Sequence, residues 1–418
     1  MRVLILTNYF PPEIGAASHL FYDLAESLGE HDHHVTVVTG FPRYLLGAQR
    51  QSGLYRREAL GRSQVIRVAS SPFDQGGPIR RGLDHLCLGG SLFAGGLLAG
   101  RHDVVCMYSP PLTAGLAGWA LRRLRGMPFV VNVQDLFPQS AIDLGLMQDR
   151  RLIRAFEALE RLVYRSADAL TVHSEGNRQH VVSRGCRPEK VHVVPNWVDT
   201  EFIQPGPRDN IFRRESGLDD RFVVQFAGVM GYSQDLDTVV EAAALLRDQP
   251  DIAFQLVGDG VERLRLEEKV RVSNLTNVMF TPLQPRERYP MTVRASDACL
   301  VTLHKEVRTP VVPSKLLSVM AAGKPVVMSA HLSGDAPPIV RAADSGICVP
   351  PGQPVELAEA VLTLQRDPAS AARMGANGRR YVERYFSKCV CVAQYETLFR
   401  SLQANHQPDW QPVAGVSP

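Results

Sequence analysis

The first forty residues constrain the fold most. "RVLILT" is a short β-rich run, "SHLFYDLAESLGEH" places Leu20, Leu24 and Leu28 at helical spacing with Gly29 near its end, and "HVTVVTG" is a second β-rich run. Two strands joined by a helix must run parallel in one sheet. A parallel sheet must in turn be covered by helices on both faces. The chain therefore starts as a βαβ unit of an α/β protein.

The alternation continues. Strand patterns recur at "VIRVAS", "DVVCMYS", "PFVVNVQD", "ALTVHS" and "KVHVVPN", separated by helical patterns such as "TAGLAGWALRRLRG" and "RRLIRAFEALERLVYRSA". The proline-rich, polar stretch at 195–210, "PNWVDTEFIQPGPRDN", reads as a linker. After it the pattern starts again with "FVVQFAG", "IAFQLVGDG", "VMFTPL", "DACLVTLH" and "KPVVMSA" as strands. The chain has 418 residues, too many for one ordinary core at about 100–200 residues per domain. The reading is two doubly wound parallel-sheet domains, 1–200 and 201–386, facing across a cleft, with further chain at 387–405 and a loose polar tail at 406–418. In such sheets ligands bind beyond the carboxyl ends of the strands.

Composition narrows the partners. Net charge is only +3, yet residues 50–125 hold eleven arginines against four acidic residues. That excess points to an anionic partner. The basic region interleaves few aromatics and carries no recognised nucleic-acid module, so nucleic acid is set aside. The seven cysteines show no zinc or CxxC spacing, which fits reduced thiols in the cytoplasm. "MRVLILTNYF" reads as a buried strand, without a cleavage site. The segment "RRGLDHLCLGGSLFAGGLLAGRH" is long enough to raise the question of a membrane span. Its six glycines, with Asp84 and His85, instead suggest a core helix or one lying in a bilayer interface.

Several strand-end loops carry candidate residues. In "NYFPPEIGAAS" the prolines hold the loop extended, and Gly15 allows close approach to free amides at a helix start. It is either a phosphate contact or an ordinary strand-to-helix turn. The stretch "RTPVVPSKLLSVMAAGKPVV" places Ser314 as N-cap and Lys315 in the first turn of a helix. A cation there costs an isolated helix about 0.3–1 kcal/mol. A bound diphosphate would reverse that sign, with Arg308 adding a second contact. The alternative is a lysine pointing to solvent. "VVNVQDLFPQSA" puts Gln134 and Asp135 at a strand end, for catalysis, sugar orientation or loop capping. "LTVHSEG" does the same with His173, Ser174 and Glu175, and His19 lies one turn into the first helix. In the second domain Gly228, Gly231 and Gly258 permit ligand approach or simply make turns.

"NYFPPEIGAASHLFYDLAESL", "VPNWVDTEFI", "LVGDG" and "PSKLLSVMAAGKPVV", in that order, resemble family 4 glycosyltransferases of GT-B fold. The resemblance covers about Met1 to Leu402 and is nearest the bacterial fucosaminyltransferase-type enzymes of O-antigen and capsule assembly. It implies a retaining transferase using a nucleotide diphosphate sugar, with no cofactor and no obligatory metal. It also implies that "SKCVCVAQYETLFRSL" crosses back onto the first domain. On this basis the donor is expected to be a UDP-sugar, an N-acetylated hexose or deoxyhexose. Gly15, Gly228, Gly231, Gly258, Arg308, Ser314, Lys315 and Ser318 would hold it. Asp135 and Lys315 would be catalytic, and Glu13, His19, His173 and Glu175 would face the acceptor. That acceptor is expected to be a lipid-linked saccharide at the inner-membrane surface, reached by a peripherally bound cytoplasmic protein. A soluble acceptor, a non-catalytic sugar-nucleotide-binding subunit and a nucleotide-sugar epimerase are the alternatives. The chain also departs from the family pattern. Pro310 and Ser318 stand where many members have two glutamates. Val229 and Gln234 stand near an arginine and a lysine, and Gln134 replaces a histidine.

Overall fold

The computed structural model describes residues 1–13, 15–42, 53–69 and 78–404. The expected tail and parts of the arginine-rich segment lie outside these. The chain divides into two compact units. One is Met1–Asn196 together with the last helix from Cys389. The other is Trp197–Lys388.

The first unit holds β1 (Arg2–Leu6), β2 (His34–Gly40), β3 (Tyr55–Leu60), β4 (Ser63–Val68), β5 (Val104–Ser109), β6 (Phe129–Val133), β7 (Ala169–Val172) and β8 (Val191–Val193). They form one sheet in the order β3-β4-β2-β1-β5-β6-β7-β8. All pairs are parallel except the β3–β4 hairpin. The second unit holds β9 (Phe222–Ala227), β10 (Ile252–Val257), β11 (Val278–Thr281), β12 (Ala298–Thr302), β13 (Val326–Ser329) and β14 (Gly346–Val349). This sheet is wholly parallel, in the order β11-β10-β9-β12-β13-β14. The central strands read as unbroken apolar runs because both their faces are buried, as parallel sheets require.

In each sheet the strand order reverses once, beside the first strand of that unit. The reversals lie between β1 and β5 and between β9 and β12. Such switch points leave a crevice at the carboxyl ends, where adjacent connections part to opposite faces.

The apolar segment at 80–102 lies in the helix Pro78–Ala99 except for its last three residues. Leu88 and Leu92 enter the core of the first unit. A Cβ on Gly95 would stand 2.5 Å from Val38 Cγ1, and one on Gly96 2.6 Å from Leu121 Cδ1. The glycines thus let the helix lie close on its neighbours. Among the described residues no helix is long and apolar enough to cross a membrane. Many arginines of the basic segment are engaged within the unit. Arg67 is buried and donates to Glu58 at 2.5 Å and to the Pro11 carbonyl at 2.6 Å. Arg122 grips Asp168 through two bonds of 2.6 Å.

The last helix, Lys388–Gln403, packs into the first unit. Tyr395 is its buried anchor: the phenol oxygen accepts from Asn132 Nδ2 at 2.6 Å.

Candidate active site

In the second unit the carboxyl ends of β9 and β10 are laid backbone on backbone. Gly228 N donates to the Val257 carbonyl at 2.9 Å, and Met230 N to that of Asp259 at 2.8 Å. A Cβ on Gly258, whose φ is 147°, would stand 1.9 Å from the Gly228 oxygen. Only glycine meets both demands there. Gly231 differs: its φ of −112° suits any residue, and a Cβ would meet open space. A turn at Tyr232–Gln234 follows and is fastened to the end of β12. His304 N donates to the Ser233 carbonyl at 2.9 Å, and the Thr302 hydroxyl donates to the Gln234 carbonyl.

The helix Ser314–Ala321 starts at this same end. Ser314 is its first helical residue and not its cap. Pro313, with an extended ψ of 131°, takes the cap position and offers no side-chain acceptor. The first-turn amides are therefore left without a side-chain partner, a natural place for an anion. Lys315 turns inward from this turn. Its Nζ lies 3.9 Å from the centroid of the Phe226 ring and donates to Gln234 Oε1. Among the described residues no carboxylate pairs with it. Burial without a counter-charge pushes its pKa down to about 7. Gly228 lies against it: a Cβ there would come 3.5 Å from Cε and Nζ.

The other residues expected at the donor are placed less uniformly. Ser318 bonds to the Ser314 carbonyl at 3.4 Å and to Tyr289. Arg308 is exposed on the loop after β12. Val229 is exposed and brings no charge.

In the first unit Gly15 caps the helix Ala16–Glu30 with a φ of 147°, and a Cβ on it would meet open space. Glu13 is buried beside it, and His19 is half-buried. Asp135 follows β6. Its carboxylate takes hydrogen bonds from Ser140 and the Leu136 amide, yet desolvation outweighs them and raises its pKa above the usual range. Gln134 points elsewhere: it and Asn196 exchange amide hydrogen bonds of 2.9 and 2.7 Å. His173 is buried at the end of β7 and bonds the Gln134 backbone. Burial lowers its pKa to about 4, so it is neutral, and its Nδ1 has no partner among the described residues. Glu175 opens the helix Glu175–Ser183 and pairs with Arg178 at 3.1 Å.

Three partners escaped the sequence reading. Gln234 stood out only for not being a lysine, Phe226 looked like one more strand residue, and Asn196 fell in the linker. Only the adjacency of β9 and β12 brings Gln234 to Lys315.

Comparison with known proteins identifies the family and the fold. Residues 15–197 match the family described as a glycosyl transferase 4-like domain, and 208–381 match glycosyl transferases group 1. The chain is 26% identical over 411 residues to a putative colanic acid biosynthesis glycosyl transferase of Escherichia coli (strain K12), covering 94% of this chain and 98% of that one. It is 30% identical over 300 residues to D-inositol 3-phosphate glycosyltransferase 1 of Catenulispora acidiphila, covering 68% and 70%. Among solved structures, HepE of Anabaena in complex with UDP superposes with a TM-score of 0.72 at 18% identity, over 96% of this chain and 100% of that one. Two parallel-sheet α/β units, each with its own switch point, define the GT-B class of fold. The chain belongs to the family 4 glycosyltransferases.

Proposed function

We propose that the protein transfers a sugar, with retention, from a UDP-sugar to a lipid-linked saccharide in the synthesis of a bacterial surface polysaccharide. The observation that carries this reading is Lys315, a cation with no carboxylate partner among the described residues, held beside glycine loops and uncapped amides at a switch point. A diphosphate there would meet the ammonium and the first-turn amides of Ser314 and Lys315, and Arg308, exposed on the loop after β12, would add a second cationic contact. Departure of the diphosphate builds negative charge, and fixed donors in a poorly solvated site stabilise it without proton transfer. That task requires no metal. Gly228 and Gly258 shape the floor for the donor, with Gly231 and Ser318 at its margin.

The first unit would take the acceptor. Asp135 would orient sugar hydroxyls, and Glu13, His19, His173 and Glu175 would line the approach, with Gly15 offering a backbone contact. A UDP donor draws support from the UDP complex of HepE. A polysaccharide product draws support from the colanic acid relative. The sugar would be an N-acetylated hexose or deoxyhexose, as in fucosaminyltransferase-type enzymes. A lipid acceptor would place the protein at the inner-membrane surface.

The test is incubation with a panel of UDP-sugars and a lipid-diphosphate saccharide. The expected result is one preferred donor, UDP release and a lipid product extended with the donor's anomeric configuration. UDP binding with no product from any donor would overturn the reading in favour of a non-catalytic partner.

A further inference from the structure

Gln234 lies near the position where the family pattern has a lysine, and its side chain touches Lys315. Its amide is oriented at both ends. Oε1 accepts from Lys315 Nζ, while Nε2 donates to Ser233 Oγ at 3.2 Å. The reverse orientation would set an NH2 group against an ammonium, so the hydrogen-bond network fixes which end is which. The backbone behind it is pinned: the Gln234 carbonyl accepts from the Thr302 hydroxyl, its N–H donates to the Gly231 carbonyl at 3.0 Å, and Ser233 is held by His304. The side chain alone is left to move. The charge is thus supplied from the helix Ser314–Ala321 to a point the β9 loop leaves neutral.

We propose that Gln234 is a placeholder for the donor diphosphate: its amide oxygen holds the Lys315 ammonium in the unliganded protein and gives way to a phosphate oxygen when the donor binds. The proposal rests on the diphosphate reading of this site. A buried ammonium left with only an aromatic face would be poorly satisfied, and a neutral acceptor serves without repelling the incoming anion. A carboxylate at the same position would neutralise the lysine and repel the diphosphate.

The experiment is calorimetric titration of wild type, Gln234→Ala, Gln234→Glu and Lys315→Ala with UDP at pH 6, where Lys315 in the wild type is charged. Thermal unfolding would confirm that each variant is folded. Gln234→Ala is expected to bind UDP as tightly as wild type or tighter, since a competitor has been removed. Gln234→Glu is expected to bind at least about tenfold more weakly. Weaker binding by Gln234→Ala would overturn the proposal, making the amide a phosphate ligand in its own right. Undiminished binding by Gln234→Glu would also overturn it, placing the diphosphate elsewhere. Lys315→Ala separates the two levels. If it loses UDP while Gln234→Ala also weakens, the diphosphate site stands and only the placeholder falls. If Lys315→Ala binds as wild type does, the site itself falls.

Discussion

Lys315 concentrates the chemistry of the second unit in one titration. Its pKa of about 7, against the ordinary 10.5, means that the folded protein binds fewer protons than the unfolded chain between those values. Stability of the unliganded protein therefore rises with pH across that interval, as the cost of burying an ammonium disappears. Ligand binding has the opposite sign. A diphosphate raises the pKa of the lysine it touches, so binding takes up a proton above pH 7. Affinity for the UDP-sugar chosen by the donor panel should fall as pH rises from 7 to 9; its diphosphate ester does not itself titrate there. Calorimetry in two buffers of different ionisation enthalpy should give different heats at pH 8. Equal heats and a flat affinity would mean that Lys315 does not meet the diphosphate.

Among the elements, the helix Pro78–Ala99 is the sharpest case. Its length raised the question of a membrane span and its glycines argued against one; Gly95 faces Val38 and Val68 of the sheet. Gly95→Val should overpack this contact and lower stability by about 1–3 kcal/mol in urea unfolding. An unchanged midpoint would mean that the helix does not lie on the sheet. The alternation of strands and helices was legible because buried parallel strands are apolar along their whole length. β3 was not: "YRREAL" is an exposed edge strand with no apolar run to mark it. β14 is an edge strand that opens on a glycine and is only partly buried over three of its four residues, so it lacks the long apolar run of the central strands. At the proposed site, Lys315 drew attention because a lysine at a helix start is unusual enough to need a reason, and the structure turns it inward onto Phe226 and Gln234. Gln234 was not, because its role depends on a partner 81 residues away. Ser314 was placed one position late, since the proline before it already has the extended backbone of a cap.

At the scale of the whole molecule, the chain passes between its units twice among the described residues, and the two passages are tied side by side within the second. Val198 N donates to the Phe386 carbonyl at 3.0 Å, Lys388 N donates to that of Val198 at 3.2 Å, and Lys388 Nζ pairs with Asp199 at 2.8 Å. Each unit has its own sheet, core and switch point, so the proposed donor and acceptor sites should be separately alterable. Changes around Lys315 should affect the nucleotide, and changes around Asp135 the sugar. The most direct measurement of the central claim is a UDP titration of wild type and Lys315→Ala at pH 7. The account predicts binding by wild type and a loss of at least about tenfold in the variant, the scale of a missing charge-assisted contact. Equal affinities, or no binding by the wild-type protein, would contradict it.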